Sequence, residues 1–244
     1  FYDFLKKAGL TTLNRPADYY GLSLILGGAE GTLWEVANAY ADMANAVRTV
    51  APRKEEFSLV HEGQDYRGGR VNAFTDAGAA WLTLEALTNV NRPEEIDWQF
   101  IPSMRRVAWK TGTSFGFRDA WAVGVTPKYL VAVWTGNASG EGRPGLTGAR
   151  TSARVMFDLF NLLPPTSWFE TPYNHLTEVV VCRESGCLVG LHCPPSSADT
   201  VFAPAKAVQG SVCNYHQRVH VSEDERYRVY EHCAVGRGIR PVSW

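Results

Sequence analysis

The sequence predicts an α+β fold in which an antiparallel sheet with packed helices is followed by a small β-rich module. Residues 105–137 carry adjacent strand patterns, and amphipathic helical patterns precede and follow them. The five cysteines all lie between residues 182 and 233, among prolines and short valine-rich runs. We therefore predict two domains, residues 1–170 and residues 171–244, the second too small to build a large core of its own.

The composition is that of a globular protein. Apolar residues make up 45% and charged residues 20% of the 244 residues, and no stretch approaches the roughly 20 apolar residues of a transmembrane helix. A net charge of −1 argues against binding to nucleic acid or to an anionic membrane surface. Residues 1–7 have no apolar signal core and resemble the end of a helix, so we expect the chain to belong to a longer protein.

A capping-box pattern predicts the start of a helix at Thr32. Thr32 and Glu35 have the spacing that satisfies two backbone N–H groups reciprocally, and apolar residues then recur at helical spacing as far as Val47. The polar, charged stretch over residues 48–73 indicates a surface loop or small hairpin.

Two further helices are predicted on either side of the strand region. One covers residues 76–90, with Thr75 or Asp76 as its cap and a stop at residues 91–93. The other covers residues 152–163 and ends at two prolines.

Between these helices, the residue pattern predicts two or three antiparallel strands. Residues 106–110 alternate, and residues 120–125 and 129–135 are rich in valine, tryptophan and tyrosine. Residues 126–128 separate the last two runs and indicate a hairpin. A glycine-rich loop follows over residues 136–148.

The run Lys110-Thr111-Gly112-Thr113 is the most informative chemical motif. Lys110 supplies a fixed positive charge, and the hydroxyls of Thr111 and Thr113 can hydrogen-bond a substrate carboxylate. Gly112 has no Cβ, so an extended substrate can lie against the strand. A backbone N–H on this strand can contribute half of an oxyanion hole.

In this context the run resembles a motif of the penicillin-binding, serine acyltransferase family, in which K-T-G lies on a strand lining the active-site cleft. The segment from Leu26 to Tyr40 is similar to part of the class A, bifunctional penicillin-binding proteins, although it lacks their usual proline. The run from Lys110 to Gly124, and the sequence ending at Asn137, follow the same pattern. The cysteine-containing tail resembles the C-terminal extension of the penicillin-binding protein 1C branch.

The resemblance implies a peptidoglycan D,D-transpeptidase, which performs serine acyl transfer on D-Ala-D-Ala stem peptides and is a target of β-lactams. Residues 1–170 would be the C-terminal part of that domain, and residues 171–244 an extension available to a periplasmic protein partner. Stem peptides and glycan strands derived from lipid II are the implied substrates, in a protein that also carries a glycosyltransferase domain. The implied location is the periplasmic face of the bacterial inner membrane, with the anchor outside this chain. No metal or organic cofactor is implied.

By the same resemblance, Lys110 and Thr113 are the catalytic residues, and the Thr113 backbone N–H is the oxyanion donor. The implied substrate-binding residues are Lys110, Thr111, Gly112, Thr113 and Ser114. Ser114 is not expected to replace the nucleophile, because no general base is indicated nearby. Asp119 is expected to pair with Arg118 or to cap a turn. Three tryptophans are expected to be core or cleft-wall aromatics: Trp109, Trp121 and Trp134.

Two motifs of the family are absent from the chain. The family's nucleophile lies in S-x-x-K and the family's second motif is S-x-N, and neither pattern occurs in this chain. We expect the nucleophile, its lysine base and the glycosyltransferase domain to lie outside the chain, which alone should be unable to acylate. The alternatives are a β-lactamase-like hydrolase, which shares K-T-G, and a non-catalytic module that binds cell-wall polymer or a partner.

The cysteines permit two interpretations. A zinc site could use Cys187, Cys193, Cys213 and His216, since the last two have ligand-like spacing. No C-x-x-C pair occurs, so disulfides are preferred. The odd number of cysteines leaves at least one thiol free or paired outside the chain.

Overall fold

The structure is a computed structural model, and it describes most of the chain. The described residues are 1–48, 59–61, 64–66, 74–90, 105–207, 210–222, 224, 226–230 and 240–243. Contacts divide the chain into two units, Phe1–Pro172 and Tyr173–Trp244. The predicted division between residues 170 and 171 lies close to this boundary.

The first unit combines helices with short antiparallel strands. Its helices are α1 (Tyr2–Lys7), α2 (Ala17–Tyr20), α3 (Leu33–Arg48), α4 (Ala77–Thr88) and α5 (Ser152–Leu162), and a 3-10 helix covers Gly21–Leu26. Its strands are β1 (Leu59–His61), β2 (Gln64–Tyr66), β3 (Ala108–Thr113), β4 (Asp119–Val125) and β5 (Leu130–Gly136). Strands β1 and β2 pair antiparallel, as the hairpin interpretation of this region predicted. Among the described residues, no helix combines the length and apolarity needed to cross a membrane.

Local side-chain hydrogen bonds fix the starts of α3 and α4. The Thr32 N–H donates to Glu35 Oε2 at 3.0 Å, and the Glu35 N–H donates to Thr32 Oγ1 at 3.1 Å, which confirms the capping box. Asp76 caps α4, since its Oδ1 accepts from the Ala79 N–H at 2.9 Å. The predicted stop at residues 91–93 lies outside the described residues.

Strands β3, β4 and β5 form a three-stranded antiparallel sheet in that order. Because successive side chains of a strand point to opposite faces, Ala108 and Trp109 belong to different cores. Ala108 is buried with residues of α3 and α4, whereas Trp109 is buried with residues of α5. Helices therefore cover both faces of the sheet, and the α+β class is confirmed.

Gly124 on β4 packs directly against α5. A Cβ at this position would stand 2.6 Å from the Phe160 ring and 2.9 Å from the Met156 sulfur, which is too close for non-bonded atoms. We expect Gly124→Ala to lower the free energy of unfolding by about 1–3 kcal/mol, because both neighbours are fully buried. Urea denaturation measures the change.

Gly31→Ala is the control for this substitution. Its added Cβ would meet only Val36, at 3.7 Å, so stability should stay within about 0.5 kcal/mol of the wild type. An unchanged urea midpoint for Gly124→Ala would contradict the packing described for this strand.

Glu35 also ties the segment after α1 to the start of α3. Its Oε1 accepts from the Thr11 backbone N–H at 2.8 Å and from the Thr11 hydroxyl at 2.5 Å. Burial raises the pKa of Glu35, but the hydrogen bonds from Thr11 and Thr32 outweigh it and lower the pKa from 4.5 to about 2. The ionised carboxylate is therefore the form that stabilises this corner.

Glu35→Gln should destabilise the chain at neutral pH and lose that effect in acid. A carboxylate with a lowered pKa contributes stability that is complete above its unfolded pKa of 4.5 and is lost as the pH falls to about 2. Since Glu35 lies near the surface, the expected loss at pH 7 is about 0.5–1.5 kcal/mol. Thermal unfolding followed from pH 7 down to pH ~2 measures it.

The exposed Glu141 provides the control, as Glu141→Gln, for the change of one carboxylate to an amide. A Glu35→Gln deficit that stays constant across this pH range would show that the substitution acts through packing and not through the carboxylate charge.

The second unit is built from short strands. These are β6 (Leu176–Cys182), β7 (Ala198–Pro204), β8 (Arg218–Val221), β9 (Arg228–Val229) and β10 (Arg240–Ser243). Strand β6 pairs antiparallel with β7, and the other three form a sheet in the order β10-β8-β9. The predicted β-rich module is therefore confirmed.

The core of the second unit is small. Its buried residues, among those the structure describes, are Leu176, Cys182, Ser197, Cys213, His216 and Val221. Only two of these are large aliphatic residues, so apolar burial supplies little of the stability that this unit requires.

The described cysteines are free thiols, so the disulfide prediction does not hold for them. They are Cys182, Cys187, Cys193 and Cys213. Three of these sulfur atoms converge on a histidine instead of pairing with one another. Cys233 lies outside the described residues.

Candidate active site

The run Lys110–Thr113 occupies the last four of the six residues of β3, at the edge of the three-stranded sheet. Within the described part of the chain, β3 pairs with β4 alone. Lys110, Gly112 and Thr113 are exposed, and Thr111 is partly exposed. The structure therefore brings the predicted site residues together along one accessible strand edge.

The backbone of Thr113 points away from β4. The Ser114 N–H donates to the Asp119 carbonyl at 2.9 Å, so these two residues form a hydrogen-bonded pair. Such pairs alternate with non-hydrogen-bonded pairs along an antiparallel ladder, and the next pair is Thr113 with Ala120. The Thr113 N–H therefore faces the open edge of β3, and the same alternation directs the backbone of Thr111 to that edge.

The ammonium group of Lys110 lies at the same edge. Its Nζ donates to the outward-facing Thr111 carbonyl at 2.5 Å, and the side chain is exposed. No carboxylate among the described residues forms an ion pair with it. Its charge is available to an anionic ligand.

The glycine-rich loop orients the hydroxyl of Thr113. Thr113 Oγ1 accepts from the Gly148 N–H at 3.0 Å, a contact between residues far apart in sequence. A hydroxyl carries one donor and two acceptor positions, so this bond leaves the Thr113 O–H free to donate toward a substrate. Gly148 is a positioning residue that the sequence did not single out within its loop.

The remainder of this loop packs against the turn that connects β3 to β4. The Arg143 N–H donates to the Phe117 carbonyl at 3.0 Å. A Cβ on Gly142 would stand 2.1 Å from the Gly116 carbonyl oxygen, so the two backbones are in direct contact there. The loop therefore packs against the turn at the end of β3.

Ser114 and Asp119 have structural partners. The Ser114 hydroxyl accepts from the Asp119 N–H at 2.8 Å, which holds the turn closed. The Asp119 carboxylate accepts from the Trp134 indole N–H at 2.9 Å, a different partner from the predicted Arg118. Trp109 is buried against α5, in agreement with its predicted core role.

Phe115 was not singled out from the sequence. Its side chain is 98% exposed in the turn that follows Thr113. A single aromatic residue in a turn is not part of any sequence pattern that indicates a function. The exposed apolar surface that Phe115 provides after Thr113 is therefore visible only in the structure.

The edge of β3 suits an extended ligand that ends in a carboxylate. It presents a cation, two hydroxyls and an outward N–H along one strand, and Gly112 leaves room for a backbone to approach. It holds no paired nucleophile and general base among the described residues, so it is equipped to bind and polarise an acyl group rather than to attack one.

Two relatives align with much of the chain. Penicillin-binding protein 1C of Escherichia coli (strain K12) is 32% identical over 168 residues, which cover 68% of this chain and 20% of that protein. Penicillin-binding protein 1B of Vibrio cholerae is 30% identical over 143 residues, which cover 54% of this chain and 17% of that protein. The chain thus spans about a fifth of the length of these relatives. No protein-family model matches it.

A solved structure shares the fold. The chain superposes on the 2.6 Å crystal structure of penicillin-binding protein 1A from Haemophilus influenzae with a TM-score of 0.52. The match covers 84% of this chain and 36% of that one at 17% sequence identity, which is a likeness in fold.

Proposed function

Since this chain belongs to the class A penicillin-binding proteins, we propose that residues 1–170 are the C-terminal part of a peptidoglycan D,D-transpeptidase domain. The observation that carries this proposal is the open edge of β3, with its exposed lysine, two hydroxyls and outward N–H. Residues 171–244 are then a C-terminal extension of the same protein.

The donor stem peptide would bind as an added strand along β3. Backbone groups of Thr111 and Thr113 face outward and can pair with an extended peptide. The Lys110 ammonium would attract the terminal D-Ala carboxylate, with hydroxyl donation from Thr111 and Thr113. The absence of a side chain at Gly112 lets the peptide approach closely.

The chain's contribution to the chemistry is to stabilise charge. A serine of the same protein, outside this chain, would attack the carbonyl carbon of the D-Ala-D-Ala bond. The Thr113 N–H would donate to the oxyanion that forms. The oxyanion would collapse to an ester and release D-Ala, whose amine takes up the proton that the serine hydroxyl has lost. An amine of a second stem peptide then takes the acyl group and regenerates the serine.

The same edge would hold a β-lactam, whose ring amide and carboxylate take the positions of the D-Ala-D-Ala end. Glycan strands derived from lipid II would supply both stem peptides. The site would then lie on the periplasmic face of the bacterial inner membrane.

Labelling with a fluorescent penicillin tests the proposal. The full-length protein should become covalently labelled, and the isolated 244-residue chain should not, since it contains no S-x-x-K serine. Prior acylation with unlabelled penicillin should abolish the signal. Labelling of the isolated chain, or no labelling of the full-length protein, would overturn it.

Two further measurements separate the alternatives. Sustained turnover of nitrocefin by the full-length protein would indicate a β-lactamase-like hydrolase, whereas a transpeptidase should give a stable acyl-enzyme. Binding of full-length protein to sacculi without any acylation would indicate a non-catalytic cell-wall module.

A further inference from the structure

We propose that the second unit contains a structural zinc site formed by Cys182, Cys193, Cys213 and His216. Their ligand atoms, three sulfurs and one imidazole nitrogen, all lie within 4.8 Å of one another. The proposal does not depend on the transpeptidase assignment, because all four residues lie in the other unit. It departs from the expectation, drawn from the resemblance, that no metal is needed.

The spacing of these atoms matches tetrahedral coordination. With Zn–S bonds of about 2.3 Å and Zn–N bonds of about 2.0 Å, a sulfur and a nitrogen ligand stand about 3.5 Å apart. His216 Nδ1 lies 3.4 Å from Cys182 Sγ and 3.7 Å from Cys213 Sγ. A disulfide would require two sulfurs only about 2.05 Å apart, and the described cysteines form none.

The ligands are held by the backbone of different segments. Cys182 ends β6, and its N–H donates to the Cys187 carbonyl at 2.7 Å. The Cys213 N–H donates to the Leu188 carbonyl at 2.7 Å. The Gly190 N–H donates to Cys193 Sγ at 3.2 Å, as backbone donors do for metal-bound thiolates. A metal would therefore join segments that are distant in sequence.

A carboxylate lies close to the other ring nitrogen of His216. With Nδ1 directed at the sulfurs, His216 Nε2 lies 3.9 Å from the Glu184 carboxylate, which Ser197 fixes through a hydroxyl donated at 3.0 Å. Metal-bound histidines commonly direct the other ring nitrogen to a carboxylate in this way. The same carboxylate accepts from the Cys182 thiol at 3.3 Å. A metal bound to the thiolate would displace that proton to solvent and leave the carboxylate free to accept from the imidazole N–H.

Three of the four residues lie in the interior of the second unit, where a larger domain would have an apolar core. Cys182, Cys213 and His216 are buried, in a unit with only two large aliphatic residues buried among those the structure describes. Three thiolates and an imidazole are the donors of structural zinc sites, and four protein ligands leave no open position for catalysis. The ion would stabilise the unit by linking the end of β6 to the segments that carry Cys193, Cys213 and His216.

Metal analysis of the chain purified in reductant tests the proposal. We expect one zinc per chain, and a sharp fall in zinc content in Cys182→Ser, Cys193→Ser, Cys213→Ser and His216→Ala. Cys187→Ser is the matched control. The Cys187 sulfur contacts Ser211 Oγ at 3.3 Å and lies outside the cluster, so this variant should keep its zinc. Absence of zinc from the wild type, or its loss in Cys187→Ser, would overturn the assignment.

Two measurements distinguish loss of a zinc ligand from misfolding of the variants, and a third tests for a disulfide. His216→Cys retains a fourth soft ligand and should keep zinc, whereas His216→Ala should not. In the wild-type chain stripped with chelator, one equivalent of Co²⁺ should give the visible spectrum of tetrahedral thiolate coordination. Alkylation under denaturing, non-reducing conditions with chelator should modify all five cysteines, and a protected pair among the ligands would establish a disulfide instead.

Discussion

Lys110→Ala in the full-length protein should slow acylation by a β-lactam by a factor of about 100, which is the size of effect that misplacement of a reacting group can produce. The Lys110 ammonium lies at the open edge of β3, beside the Thr111 carbonyl. Without it, the carboxylate of the β-lactam would lose the cation that is proposed to orient it. Stopped-flow or gel-based measurement of acylation rates gives the effect.

Two controls separate loss of the Lys110 charge from destabilisation of the fold. Lys128 is exposed in the turn between β4 and β5, and Lys128→Ala should leave the acylation rate unchanged. Because Lys110 is also exposed, Lys110→Ala should change the free energy of unfolding by no more than about 0.5 kcal/mol. Acylation by Lys110→Ala at the wild-type rate would remove Lys110 from the site.

Local patterns in the sequence predicted the elements that depend on local contacts. The capping box at Thr32 and Glu35 spans four residues, and its two hydrogen bonds form as the pattern implies. Lys110 to Thr113 lie consecutively on one strand, so their common placement follows once the strand is recognised. Such features need no knowledge of the tertiary structure.

Contacts between distant residues could not be predicted in this way. The Gly148 N–H bond to Thr113 joins residues 35 positions apart, and no spacing rule relates a loop glycine to a strand hydroxyl. The zinc hypothesis included Cys187, whereas the structure places Cys182 in the cluster. Cys182 ends β6, and its sulfur lies near Cys213 and His216 through two backbone bonds of the following turn, from the Cys182 N–H to the Cys187 carbonyl and from the Cys213 N–H to the Leu188 carbonyl.

Gly148→Ala should have the second largest effect, on both stability and acylation. A Cβ at this position would stand 2.5 Å from the Gly112 and Trp121 carbonyl oxygens and 2.9 Å from Thr111 Cβ. These are backbone or strand-fixed atoms that cannot rotate away, so the loop must withdraw from β3. We expect a loss of about 2–4 kcal/mol in stability, since withdrawal also breaks the bond from Gly148 to Thr113.

The loss of acylation should exceed what unfolding explains, because the Thr113 hydroxyl then loses the donor that orients it. Thr113→Val removes the same bond without adding bulk at the loop, so it should also slow acylation while costing less stability. Gly140→Asn is the matched control in the loop. Gly140 has φ +72° and open space around it, and asparagine tolerates that conformation. If Gly148→Ala acylates at the wild-type rate below its unfolding temperature, then the loop does not position Thr113, and the strand edge alone suffices to hold the substrate.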